Sequence, residues 1–145
     1  MEKSKSKIIA EKTIFSALKI LKENGGELRG KEVVDKVRDS VEFNEYERHV
    51  YEKTGYVRWE SILHFYTIDC MKAGYLRKNK GLWILTNEGE DALRLGPEEL
   101  LNTATKIYRK WDAERKANTP DIEQSDDNEE MANNDDKVQK SLLDQ

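Results

Sequence analysis

Between Lys72 and Gly89 the chain reads KAGYLRKNKGLWILTNEG, with three cations, Arg77, Lys78 and Lys80, inside four residues. Clustered Arg and Lys are the chemistry of polyanion contact, because they neutralise phosphates and release condensed counterions. The structural alternative is a solubilising turn, where Lys keeps an edge strand from unwanted pairing. That accounts for one such cation better than for three. Arg29 and Lys31 flank Gly30 at the head of a second helical pattern, adding charge and backbone N–H groups for a phosphate contact. Arg58, Ser61, His64 and Lys72 fall on a third helix that would read a duplex. Its outward face also holds Phe65, Ile68 and Met71 in place of the Arg, Asn or Gln that make bidentate base contacts. Those three apolar residues suit packing under a neighbouring segment or against a second subunit.

The flanks GYL and LWILT are aromatic, β-branched and leucine-rich, as a half-buried hairpin requires. Asn79-Lys80-Gly81 is the turn signal between them, since Asn and Gly tolerate positive φ. A helix is expected from about Ile8 to Asn24, closed by Gly25-Gly26, with Ile9, Ile14, Phe15, Leu18 and Leu21 on one face. A short extended piece at Leu28 leads into the second helix, whose buried stripe is Val33, Val34 and Val37. Residues 42–56 read as a polar, aromatic insertion with a helical part near Glu45 to Glu52. On the third helix Trp59, Ile62, Leu63, Tyr66, Cys70 and Ala73 form the expected inner face. Thr86 is the expected N-cap of a following short helix. Pro97, Glu98 and Glu99 suit the first turn of a last one.

Helix, short strand, helix, insertion, helix, hairpin and two helices give a mainly α fold with a small β hairpin (α+β): a winged helix-turn-helix plus a C-terminal helix. The third helix would be the recognition helix and the hairpin the wing, with Trp83 packing the wing onto the body. The last helix carries an apolar stripe of Leu100, Ala104, Ile107, Tyr108 and Trp111. A stripe of this kind must be buried. Folding back on its own domain and pairing with a copy of itself as a homodimer are both open to it.

These residues resemble the N-terminal winged-helix domain of Mrr-type restriction endonucleases. In that family a helix closing on Lys-Ala-Gly-Leu precedes a Gly-Val-Trp-x-Leu-Thr-x-x-Gly hairpin. The match runs through Trp59, Lys72, Ala73, Gly74, Gly81, Trp83, Leu85, Thr86 and Gly89, and the similarity spans roughly residues 8 to 95. The resemblance implies binding of double-stranded DNA by a module that directs a separate nuclease domain or subunit. A nuclease site would need acidic residues and a Lys on adjacent strands holding Mg²⁺. Nothing after Ala117 reads as such a sheet, so the chain is expected not to be an enzyme. The rival reading is a winged-helix protein-interaction module without DNA binding.

Charge divides the chain of 145 residues in two. Through Ala117 there are 23 Lys and Arg against 20 Asp and Glu, and from Asn118 onward 2 against 9, which together give −4. A mildly basic body is therefore joined to an acidic segment. Residues 118–145 hold too little apolar surface to offset ordering entropy and are expected to be a disordered tail or linker. They lie beyond a DNA-binding domain over 1–95 and a packing or dimerising helix over 96–117. A single cysteine, Cys70, excludes an internal disulfide and fits a reducing compartment, so the expected location is cytoplasmic. His64 has one other histidine, His49, as company and no cysteine partner for a ligand set. No metal and no cofactor are expected, and no run is long and apolar enough to span a membrane.

Overall fold

A computed structural model describes residues 4–118. Helix α1 covers Lys5–Glu23 and begins three residues earlier than expected, because the Ser4 hydroxyl accepts from the Lys7 amide and caps it. Strand β1, Glu27–Arg29, leads directly into α2, Gly30–Ser40. The expected helix within the insertion shrinks to α3, Glu45–Arg48, held by a reciprocal capping box between Asn44 and Glu47. Beyond it the chain turns extended, and Val50 bridges Val57 in antiparallel fashion. Helix α4, Arg58–Lys72, follows, then the wing strands β2, Leu76–Asn79, and β3, Leu82–Leu85. Thr86 accepts from the Gly89 amide and caps α5, Asn87–Ala92. A single 3₁₀ turn, Leu93–Leu95, joins it to α6, Gly96–Asn118.

The architecture is the expected mainly helical α+β one, laid out like a winged helix with an added C-terminal helix. The sheet, however, has three strands. β3 is central, pairing antiparallel with β2 on one side and with β1 on the other. Sequence pattern cannot show that second pairing, because a three-residue strand has no periodicity to read.

The core draws Ile9, Ile14, Leu18 and Leu21 from α1, Val33 and Val37 from α2, and Trp59, Ile62 and Leu63 from α4. Leu100, Leu101 and Ala104 of α6 are fully buried in the same cluster. The last helix therefore folds back on its own body, against α1 and α4, and Leu100 and Ala104 are not free for a second copy. Within α4 the inner face is turned from the expected one. Thr67 is buried, whereas Tyr66 is half-buried. The expected acidic tail, Asn118 apart, lies outside the described residues.

Candidate nucleic-acid interface

The wing is a tight hairpin with a two-residue turn. Positive φ falls on Lys80 (50°) and Gly81 (85°), while Asn79, expected in the turn, is the last residue of β2. Two consecutive left-handed residues are what a turn matching the right-handed strand twist demands. Gly81 adopts this freely, whereas Lys80 does so against its Cβ.

Pairing then sorts the side chains by face. Lys78 lies opposite Trp83, and Trp83 opposite Leu28, so these three share one side of the sheet. Arg77, opposite Ile84, and Arg29, opposite Leu82, share the other. Glu27 is on that outer side too, across from Ile84.

The head of α2 is tied to the turn by the Gly30 amide, which donates to the Gly81 carbonyl at 2.8 Å. Gly30 is required there, since a side-chain carbon would collide with the Trp83 indole. Arg29, at the N-cap position, makes no side-chain cap, so no side chain of its own covers the amides of the first turn. The outcome is that Arg29, Lys31, Arg77 and Lys80 gather around one hairpin turn. All four are exposed, and none of their side chains has a hydrogen bond, ion pair or ring contact among the described residues. A ring of unpaired cations beside uncapped helix amides can hold phosphate oxygens.

The remaining expected contacts are placed differently. Lys78 turns to the body side, with its ammonium 4.5 Å from the Trp83 ring centroid and 2.8 Å from Thr67 Oγ1. Lys72 is exposed at the end of α4, its ammonium 4.0 Å over Trp111 of α6. Arg58 is withdrawn into the body. It donates to the Tyr46 carbonyl (2.9 Å) and the Tyr51 hydroxyl (3.4 Å), with its guanidinium 3.9 Å over the Tyr46 ring. Ser61 is buried too. Arg58 faces inward because the insertion folds over the start of α4, and neither it nor the buried Ser61 joins the exposed cluster.

His64 is half-buried, its ring edge-on to Trp83 at 5.7 Å. Burial, and secondarily the charge of Lys78, depress its pKa to about 4, so it is neutral at pH 7. Burial pushes the Cys70 thiol far above its usual range, which makes it an inert core residue. Thr67 was not anticipated in the sequence. It is a polar residue buried on α4 whose value lies in meeting Lys78 from another element, and no local signal announces such a meeting.

Along α6 the expected dimerising set divides. Leu100 and Ala104 are internal, Tyr108 is half-buried, and Ile107 and Trp111 keep 38% and 36% of their surface exposed. Thr105 donates to Asp69 at 2.8 Å, securing this helix to α4. Among the described residues no cluster of His, Cys, Asp and Glu could hold a metal ion, and no helix is long and apolar enough to cross a membrane.

Comparison with known proteins gives one family. The family model described as the Mrr N-terminal domain matches residues 11–95. No curated protein and no solved structure matches the chain.

Proposed function

The chain belongs to the Mrr N-terminal domain family, and from that premise we propose that it is a double-stranded-DNA-binding module of a restriction system. The observation that carries this reading is the group of Arg29, Lys31, Arg77 and Lys80, exposed around one turn with no counter-charge bound to any of them among the described residues. Arg77 and Lys80 clamp phosphates from the wing, and Arg29 and Lys31 do so from the head of α2. Helix α4 approaches the duplex with His64, Phe65 and Lys72. The module acts in the cytoplasm and delivers a nuclease domain or subunit to its target, itself cutting nothing.

Fluorescence anisotropy of a labelled ~20-base-pair duplex at ~50 and ~200 mM salt tests this, because phosphate contacts make affinity fall steeply with salt. Expected is binding that weakens severalfold or more across that range. Absence of binding at protein concentrations above ~100 μM, where even non-specific contacts register, would overturn it.

A protein-contact module is the second reading. It is favoured by the half-buried apolar ridge of Phe65, Ile68 and Met71 on α4 and by the exposed Ile107 and Trp111 on α6. The latter pair offers the surface for a homodimer. Sedimentation of the wild type beside Ile107→Asp/Trp111→Ser tests that surface: loss of a dimer in the variant supports it, and a monomer in both removes the homodimer.

A further inference from the structure

We propose that Lys78 is a positioning residue that docks the wing onto α4 by seating its ammonium between Trp83 and Thr67, and that it does not contact DNA. Only the affinity readout below rests on the DNA-binding reading. Register assigns Lys78 its side of the sheet. Strand side chains alternate between faces, so Lys78, opposite Trp83, points to the body, while Arg77 and Asn79 on either side of it point away.

The donors and acceptors around Thr67 fix its role. Its hydroxyl donates to the His64 carbonyl at 2.6 Å, and a hydroxyl has one hydrogen. Its oxygen can therefore only accept from the ammonium 2.8 Å away. Thr67 is 1% exposed. The oxygen is thus set in a site that water scarcely reaches, and without the ammonium it would lose a partner that solvent does not readily replace.

Trp83 supplies the second half of the seat. Its ring face lies under the ammonium, where the quadrupole attracts a cation. The ring is held in place by His64 of α4 and by the head of α2 at Gly30. A neutral His64 alongside places no like charge against Lys78. To reach a phosphate, Lys78 would have to leave ring and hydroxyl together, whereas Arg77, one residue earlier, has neither to leave. Adjacent cations in one strand therefore do different work.

The test compares Lys78→Met, which keeps an apolar stem on Trp83, with Arg77→Met and Thr67→Val. For each, duplex affinity is measured as a function of salt, together with amide hydrogen exchange of the wing strands in the free protein. Losing a phosphate contact lowers the slope of log K against log salt by ~0.9. Arg77→Met is expected to lose that much. Lys78→Met is expected to weaken binding severalfold at every salt concentration and leave the slope intact.

In the free protein Lys78→Met should speed exchange of β2 and β3 amides by roughly fivefold or more, with α1 amides unchanged, as local opening of one unit requires. Thr67→Val should do the same. The double variant should add little to either single, because the two residues form one interaction. A slope that falls with Lys78→Met as it does with Arg77→Met makes Lys78 a phosphate ligand and overturns the proposal. Unchanged wing exchange, or fully additive effects, also overturns it. Where no variant and no wild type binds a duplex, the exchange cycle alone decides, since it uses no DNA.

Discussion

From Arg77 to Gly81 every residue of the wing is exposed, whereas along the 15 residues of α4 Lys72 alone is. These two regions are separated only by Ala73 to Leu76, and both belong to the part of the molecule expected to meet DNA. The difference comes from what surrounds each. Helix α4 lies on α1, is held by α6 through Asp69 and Thr105, and is covered at its start by the insertion through Arg58. Glu60 is also engaged, by Arg38 of α2 at 3.0 Å. The wing meets the body through the side chains of one face, Trp83, Leu76 and Lys78, and along the β3 edge through β1 and the Gly30 amide. For the proposed duplex contact, charge therefore resides in the wing and the head of α2. What α4 offers to base edges is a narrow, largely apolar ridge.

The comparison breaks most readily on charge. Arg77→Glu combined with Lys80→Glu should weaken duplex affinity by roughly 100-fold at ~0.1 M salt, since two contacts become repulsions. Lys72→Glu on α4 should cost at most a few-fold. Equal losses in anisotropy titrations would erase the distinction between wing and helix.

The helix side answers to pH. With a folded-state pKa of about 4, set first by burial and then by Lys78, His64 binds fewer protons than the unfolded chain between that value and the unfolded ~6.5. Its contribution is complete above pH 6.5 and is lost as pH falls toward 4, by up to about 3 kcal/mol. Urea midpoints at pH 7 and pH 4.5 should converge on that loss in the wild type and show a much smaller one in His64→Gln. A variant as acid-sensitive as the wild type would place the loss elsewhere.

Lys80 sharpens the contrast with effects of opposite sign. Lys80→Asn puts a residue tolerant of left-handed backbone at φ 50° and should raise stability by about 0.5 kcal/mol. It should also lower duplex affinity severalfold by removing a tip charge. A thermal midpoint that rises while binding falls would show the turn to be tuned for contact at some cost in stability. No change in either measurement would make Lys80 incidental.

The smallest effect concerns the acidic segment. Ending the chain at Ala117 removes nine acidic residues and two lysines and leaves a body of net +3. Duplex affinity should then rise a few-fold, most at low salt, with the unfolding midpoint unchanged. Identical titrations with and without the segment would remove it from the electrostatics.

Much of the fold was legible because it rests on local physics. The Gly25-Gly26 stop, the Thr86 cap, the Val33 and Val37 stripe and the apolar flanks of the wing each act within a few residues. The family motif is legible for the same reason. Lys72 closes α4, Gly74 has positive φ after it, Thr86 donates to the Gly74 carbonyl at 2.5 Å, and Trp83 fills the gap above Gly30. Those residues hold the wing on the helix, so the motif identifies the scaffold better than it identifies a ligand. The site was half legible. Composition singled out the cations, but nothing in RKNK tells Arg77 from Lys78, nor does RWES reveal that Arg58 turns inward.

What the sequence determined by itself was the set of elements, their order and the concentration of positive charge at one turn, all consequences of short-range periodicity and turn chemistry. Tertiary structure decided which of those charges remain available. β1 completed the sheet and fixed its faces, the insertion drew Arg58 inward, and Thr67 met Lys78. α6 spent Leu100 and Ala104 on its own core, leaving Ile107 and Trp111 outside. Each of these outcomes depends on a partner distant along the chain. A side chain's hydrogen-bonding and desolvation energy is set by that partner, and sequence neighbours do not encode it.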